Sequence, residues 1–288
     1  MLSKLETTEI DINFLQKKAR EIRATSVQLA YDGQTGHLGS ALSYVDALVA
    51  LYYYWLNISP SNIGDVQRDR FILSKGHGCV SHYVALADQG FIPKEWLHEY
   101  ACAGKPLSSH PCKHLLDVLE CSSGSLGYGL GIATGMLYGA RLDKLKFRIA
   151  VLMGDGECNE GSVWESAMFA AAHHMDNLIA LVDYNGIQAV GRSDEIMGHT
   201  SLEEKFRAFG WGAMTVDGND IKAVVSALDQ CPLKTGKPTA IVLKTLKGAG
   251  VSFMEDDVLW HYRVPSKEDL ERALTELDAV PIHLEKKV

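Results

Sequence analysis

A doubly wound α/β sheet, with parallel strands covered by helices on both faces, is what this sequence predicts. Short β-branched apolar runs alternate with longer helical segments along its whole length. Several of those runs are apolar at consecutive positions, as strands buried on both faces require. No internal repeat, low-complexity stretch or Pro/Ser-rich linker interrupts the alternation. The expected strands are residues 71–74, 147–153, 178–183, 213–216 and 239–244. Leu15, Ala19, Ile22, Ser26 and Leu29 recur at helical spacing and mark one face of a first helix. Ser43 followed by Asp46 has the form of an N-cap with an acidic third residue, opening a helix through residue 54. Further helices are expected over 80–89, 94–103, 129–141, 162–175, 202–209, 221–230 and 267–277. At 288 residues, one domain over 1–288 lies near the upper limit of a single core.

Composition narrows the function. Apolar residues make up 47% and charged residues 22%, an ordinary globular balance with a large core. The net charge of −8, with no Lys/Arg block, argues against a nucleic-acid partner, whose phosphates need neutralising. An anionic ligand would therefore be met by local devices: a metal, histidines or helix N-termini. The first 19 residues mix charged and apolar side chains, unlike a secretory signal. The longest apolar run, 47–56, is ten residues and too short for a membrane span. Six scattered cysteines form no CxxC pair, which suits reduced thiols in the cytoplasm. His110, Cys112, His114 and Cys121 lie close in sequence, but their spacing matches no tight zinc knuckle, so a His-rich loop is the preferred reading.

Residues 147–191 carry the chemistry. An apolar strand stops at Gly154-Asp155-Gly156, a helix follows from about Glu160, and a second strand ends at Asp183-Tyr184-Asn185-Gly186. In a parallel strand–helix–strand unit both strand ends emerge on one sheet edge, so Asp155 and Asn185 can meet. With the main-chain carbonyl of Ile187 they offer three hard oxygens, a set suited to Mg²⁺ or Ca²⁺. Gly154 and Gly156 would let a diphosphate approach the backbone, and the following helix turns its positive end toward it.

Gly-Asp-Gly followed by Asn-Gly after a helix and strand resembles the thiamine diphosphate signature. Four more segments resemble transketolases in particular, in the family's order: Thr35-Gly36-His37-Leu38-Gly39, Asp69 to Gly78 (DRFILSKGHG), His110-Pro111 with Gly124-Ser125-Leu126-Gly127-Tyr128-Gly129, and Lys247-Gly248-Ala249-Gly250 followed by His261. The resemblance covers nearly the whole chain and implies the thiamine diphosphate-binding fold, diphosphate side. It places His77, His261 and Lys247 at the diphosphate, and His37 and His110, with His261, at the reacting centre. It puts the Leu126 main chain, between Gly124, Ser125 and Gly127, at the aminopyrimidine, and Glu160 at a subunit contact that links cofactors. His173 and His174 fall outside every motif and are read as structural. Leu38, Ser125, Cys79 and Tyr262 stand where the family has Pro, Pro, Ser and Gly. The bulk of Tyr262 suggests an acceptor other than the standard pentose phosphate.

The resemblance further implies that the pyrimidine-side and C-terminal domains reside on a partner chain, a C-terminal transketolase subunit, most simply with two copies of each. That complex would move a two-carbon ketol unit between phosphorylated or otherwise anionic sugars. Nearer alternatives are the corresponding chain of a 2-oxo acid dehydrogenase E1-type or deoxyxylulose phosphate synthase-like enzyme; a more distant one is a non-catalytic cofactor-binding homologue.

Overall fold

In the computed structural model, which describes residues 10–198 and 200–282, five parallel strands form one sheet. They are β1 (Arg70–Leu73), β2 (Ile149–Gly154), β3 (Leu178–Tyr184), β4 (Gly212–Asp217) and β5 (Thr239–Lys244), in the order β1-β2-β3-β5-β4. Each expected strand is present, with ends moved by no more than two residues. The register pairs Gly154 with Asp183 and Tyr184 with Lys244, so β2, β3 and β5 end side by side.

Alternate strand residues divide between two cores, as a period of two demands. Phe71, Leu73, Leu152, Leu181 and Leu243 face α1 (Ile12–Asp32), α3 (Val45–Ala50), α4 (Cys79–Asp88) and α9 (Ile221–Asp229). Ile72, Val151, Met153, Val182 and Val242 face α5 (Gly129–Leu142), α6 (Gly161–Ala172) and α8 (Leu202–Ala208). A third cluster joins α1, α2 (Leu38–Leu42) and α10 (Lys267–Leu277) through Val27, Leu42, Trp260 and Leu270. Local signals set the helix starts. Asp11 caps α1 by accepting from the Phe14 N–H, and Ser266 with Asp269 forms a capping box on α10.

Two expectations are corrected. Ser43 does not cap α3: its hydroxyl turns inward and donates to Asp183 at 2.7 Å, and Tyr44 holds the cap position without a side-chain bond. The α-helix expected over 94–103 is a 3₁₀ helix, Lys94–Glu99. Leu97 and Tyr100 bury at three-residue spacing, the 3₁₀ period, and Ala101 then takes a left-handed φ of 58° that ends the run. Two short helices, α2 and α7 (Ser193–Met197), were not expected. Among the described residues no helix is long and apolar enough to cross a membrane.

Candidate active site

The site gathers where β1, β2, β3 and β5 end. Asp155 follows β2 directly and is buried; its Oδ2 accepts the Gly186 N–H at 3.1 Å and the Ser193 hydroxyl at 2.6 Å. Asp155 and the turn after β3 therefore do meet. Burial pushes the Asp155 carboxyl up, and the nearby Asp183 charge adds to this. An anionic Asp155 is poorly compensated by protein donors alone. The amide of Asn185 is oriented by two bonds: Nδ2 donates to Asp183 at 2.9 Å and Oδ1 accepts the Ile187 N–H at 3.1 Å. The Ile187 carbonyl accepts the Lys247 ammonium at 3.2 Å. A carboxylate, an amide oxygen and a carbonyl thus line one turn, a donor set that fits a hard divalent cation.

Beneath this turn lies a buried ion pair. Lys75, 1% exposed, reaches Asp183, which also accepts from Ser43 and, at 2.5 Å, from Thr245. Burial alone would raise the Asp183 carboxyl, but the Lys75 ammonium and these donors outweigh it and hold it low. Asp183 stays ionised and fixes which way the Asn185 amide faces.

Four imidazoles form a cluster above. The His37 ring centroid is 5.4 Å from His77, 5.9 Å from His110 and 5.2 Å from His261. His37 takes a left-handed φ of 64° ahead of α2, and its N–H donates to the His261 carbonyl at 2.8 Å. That close approach needs Gly36, because a Cβ there would meet the Tyr262 carbonyl oxygen at 2.6 Å. Lys247 is buried and donates to His261 Nδ1 at 2.7 Å. Burial and the Lys75 charge lower Lys247 to about 8. Burial, then the Lys247 charge, depresses His261 to about 3. Burial also lowers His37, His77 and His110, so all four rings are neutral at neutral pH. Tyr262 flanks them, its ring 5.3 Å from His37 and 4.5 Å from His261, and remains 61% exposed.

The loop at 124–129 is drawn in by Glu157. This carboxylate is 1% exposed and accepts from Ser74, from the Gly127 N–H at 2.8 Å and from the Gly154 N–H at 3.2 Å. It ties the ends of β1 and β2 to the segment carrying Gly124, Ser125 and Leu126. Gly124 lies against His110: a Cβ there would be 3.5 Å from the ring. Glu160 is exposed at the N-cap of α6 with no side-chain cap bond, packed under Gly127. His173 lies in an aromatic group with Tyr138 and Phe169. Among the described residues no three His, Cys, Asp or Glu side chains are placed to hold a metal.

Lys75, Asp183 and Glu157 went unmarked in the sequence. The available signal was position: each is an ionisable residue at the end of an apolar strand beside a glycine motif, where burial is imposed by the sheet.

These features define a diphosphate-side thiamine-binding domain. The family model "Transketolase, thiamine diphosphate binding domain" matches residues 15–273, and the chain belongs to that family. It is 41% identical over 264 residues to one of the named subunits of apulose-4-phosphate transketolase from Actinobacillus succinogenes, covering 91% of this chain and 95% of that protein. It is 39% identical to the 6-deoxy-6-sulfo-D-fructose transketolase subunit SqwG of Clostridium sp. (strain MSTE9), covering 92% and 96%. The transketolase crystal structure from Campylobacter jejuni superposes with a TM-score of 0.89 at 26% identity, over 96% of this chain but 45% of that one. The chain thus spans less than half of the full-length transketolases it resembles.

Proposed function

We propose that this chain is the N-terminal subunit of a two-chain transketolase, transferring a two-carbon ketol unit from a ketose to an aldose. The observation that carries the reading is the convergence at one sheet edge of the Asp155–Asn185–Ile187 oxygens, Lys247 and four neutral imidazoles. Bound thiamine diphosphate supplies the carbon nucleophile and electron sink for breaking and making the carbon–carbon bond. Asp155, Asn185 and the Ile187 carbonyl would hold Mg²⁺, and Gly154, where a Cβ would meet nothing nearer than 4.0 Å, leaves room for the diphosphate. Lys247, His77 and His261 donate to the phosphate oxygens. The loop of Gly124, Ser125 and Leu126 presents its main chain to the pyrimidine ring. Neutral His37 and His110 accept or return protons at substrate hydroxyls and at the reacting carbon, with His261 beside them. Glu160, exposed at the start of α6, meets the partner chain and communicates between sites.

Exposed Tyr128, Tyr138, Met168 and Phe169 on and beside α5 and α6 fit a surface made for association. Two copies each of this chain and a pyrimidine-side chain form the simplest assembly. Six free cysteines suit a reducing cytoplasm. Two relatives are named for apulose-4-phosphate and 6-deoxy-6-sulfo-D-fructose, and Tyr262 lies against His37 and His261, so a ketose with an anionic end outside the standard pentose phosphates is the expected donor. The test is a donor and acceptor panel with both subunits, read by mass spectrometry. Two-carbon exchange supports the reading, and its absence on every pair overturns it. Standard pentose phosphates being the best substrates by a clear margin would remove the role given to Tyr262.

A further inference from the structure

At the opposite edge of the sheet, where β1, β2 and β3 begin, lies an open cavity of about 860 Å³. Leu137, Leu145, Phe147 and Met175 give it an apolar floor. Its rim is basic: Arg141, Lys144, Lys146, Arg148 and His174, against Asp69 and Asp176. The acids are already engaged. Asp69 accepts two N–H groups of the Arg148 guanidinium, and Asp176 accepts the Gly236 N–H at 3.2 Å. Arg141, Lys144 and Lys146 have no carboxylate within ion-pair distance among the described residues, in a chain whose net charge is −8.

Helix dipoles explain part of this. Arg141 donates at 2.6 Å to the His173 carbonyl at the end of α6, as a basic residue at a helix C-terminus does. The same account does not extend to the Lys144 and Lys146 ammonium groups, which bond to no carbonyl among the described residues. Backbone geometry is a second, independent sign. The chain leaves α5 and α6 through left-handed residues, Lys144 at φ 59° and His174 at φ 53°. Glycine or asparagine is the default at such exits; here both exits place a basic side chain on the same cavity.

We propose that this cavity is a second ligand site, separate from the one at the strand C-termini, for a phosphorylated small molecule with an apolar or planar body. The volume is that of a small-molecule site, the floor suits the body, and Arg141, Lys144 and Lys146 face the phosphates. ATP is the probe, titrated by calorimetry into the chain at low ionic strength, beside inorganic phosphate. Lys144→Glu/Lys146→Glu and Lys146→Glu alone are the variants. Both lysines are exposed, and the single change leaves the left-handed position untouched. ATP should bind saturably, at least about tenfold more tightly than phosphate, and lose at least about tenfold in the double variant, with a smaller loss in the single one. Mg²⁺-dependent thiamine diphosphate binding should be unchanged in both, which separates this site from the transketolase reading. No saturable ATP binding, equal affinity in the double variant, or phosphate binding as tightly as ATP would each overturn the proposal.

Discussion

Lys247 is the residue whose chemistry depends most on a neighbouring anion. Its ammonium is held by the Ile187 carbonyl and His261 Nδ1, and burial lowers its proton affinity from the usual 10.5 to about 8. A diphosphate beside it favours the charged form and raises that value again. Between the two values the free chain has lost protons that the bound chain retains, so binding at about pH 8.5 takes protons up, and affinity falls as pH rises through this window. Calorimetry in buffers of different ionisation enthalpy reads the uptake, which Lys247→Met should abolish; no uptake in the parent protein would refute the assignment. Asp155→Ala should weaken Mg²⁺-dependent thiamine diphosphate binding by at least about 100-fold, since a direct ligand matters at least as much as its supports. Unchanged affinity would sink the metal site. His37→Ala and His110→Ala should keep cofactor affinity while losing about 10²–10⁴ in turnover, the usual range for a proton-transfer group. Weakened cofactor affinity with turnover intact at saturating cofactor would reverse that division of roles. Asp155, Asn185 and the histidines were legible because each stands in a short motif, Asp155, Asn185 and His77 just past strand ends. Lys75 and Asp183 were not, because 108 residues separate them and only the folded sheet edge shows that the lysine turns inward.

At the scale of elements, the strand–helix alternation was legible because a parallel sheet writes its burial into consecutive apolar residues. The register pairing Gly154 with Asp183 then follows from the fold rather than from either motif. The long segment between the 3₁₀ helix at Lys94–Glu99 and α5 was not legible. Its glycines, serines and histidines carry no period, and its position is fixed by tertiary contacts such as the bond from the Gly127 N–H to Glu157. That bond makes Glu157 the clasp of the edge. Removing the carboxylate leaves the buried Gly127 N–H, the half-buried Gly154 N–H and the Ser74 hydroxyl without their acceptor. Glu157→Ala should therefore destabilise the isolated chain by about 2–4 kcal/mol in urea unfolding. Glu157→Gln, which keeps one carbonyl acceptor, should cost less. A cost for the alanine variant below about 0.5 kcal/mol would show that the loop at 124–129 holds itself in place.

For the whole molecule, the question is what the sheet edge faces. Tyr262, which packs against His37 and His261, and the exposed aromatic and Met side chains of α5 and α6 lie on surfaces that a lone chain leaves to water. Thiamine diphosphate also needs an acid on the far side of its aminopyrimidine, in a low-dielectric setting where the ring can tautomerise. The acids at this edge are committed elsewhere: Asp155 to the turn after β3, Asp183 to Lys75, Glu157 to the Gly127 loop. Glu160, next to them in the chain, is exposed on the rim. On the split-enzyme reading the required acid comes from a second chain docked over this edge, so catalysis and assembly are one event. The isolated chain should then fold cooperatively, bind thiamine diphosphate with Mg²⁺ weakly, and show no ketol transfer at saturating cofactor. Adding the pyrimidine-side chain should restore transfer and raise cofactor affinity together, because ring and diphosphate are then held at once. The decisive measurement is turnover against partner concentration, with contaminating partner excluded by mass spectrometry. Robust transfer by the single chain would refute the two-chain reading, whereas activity that saturates at a one-to-one ratio is the result it requires.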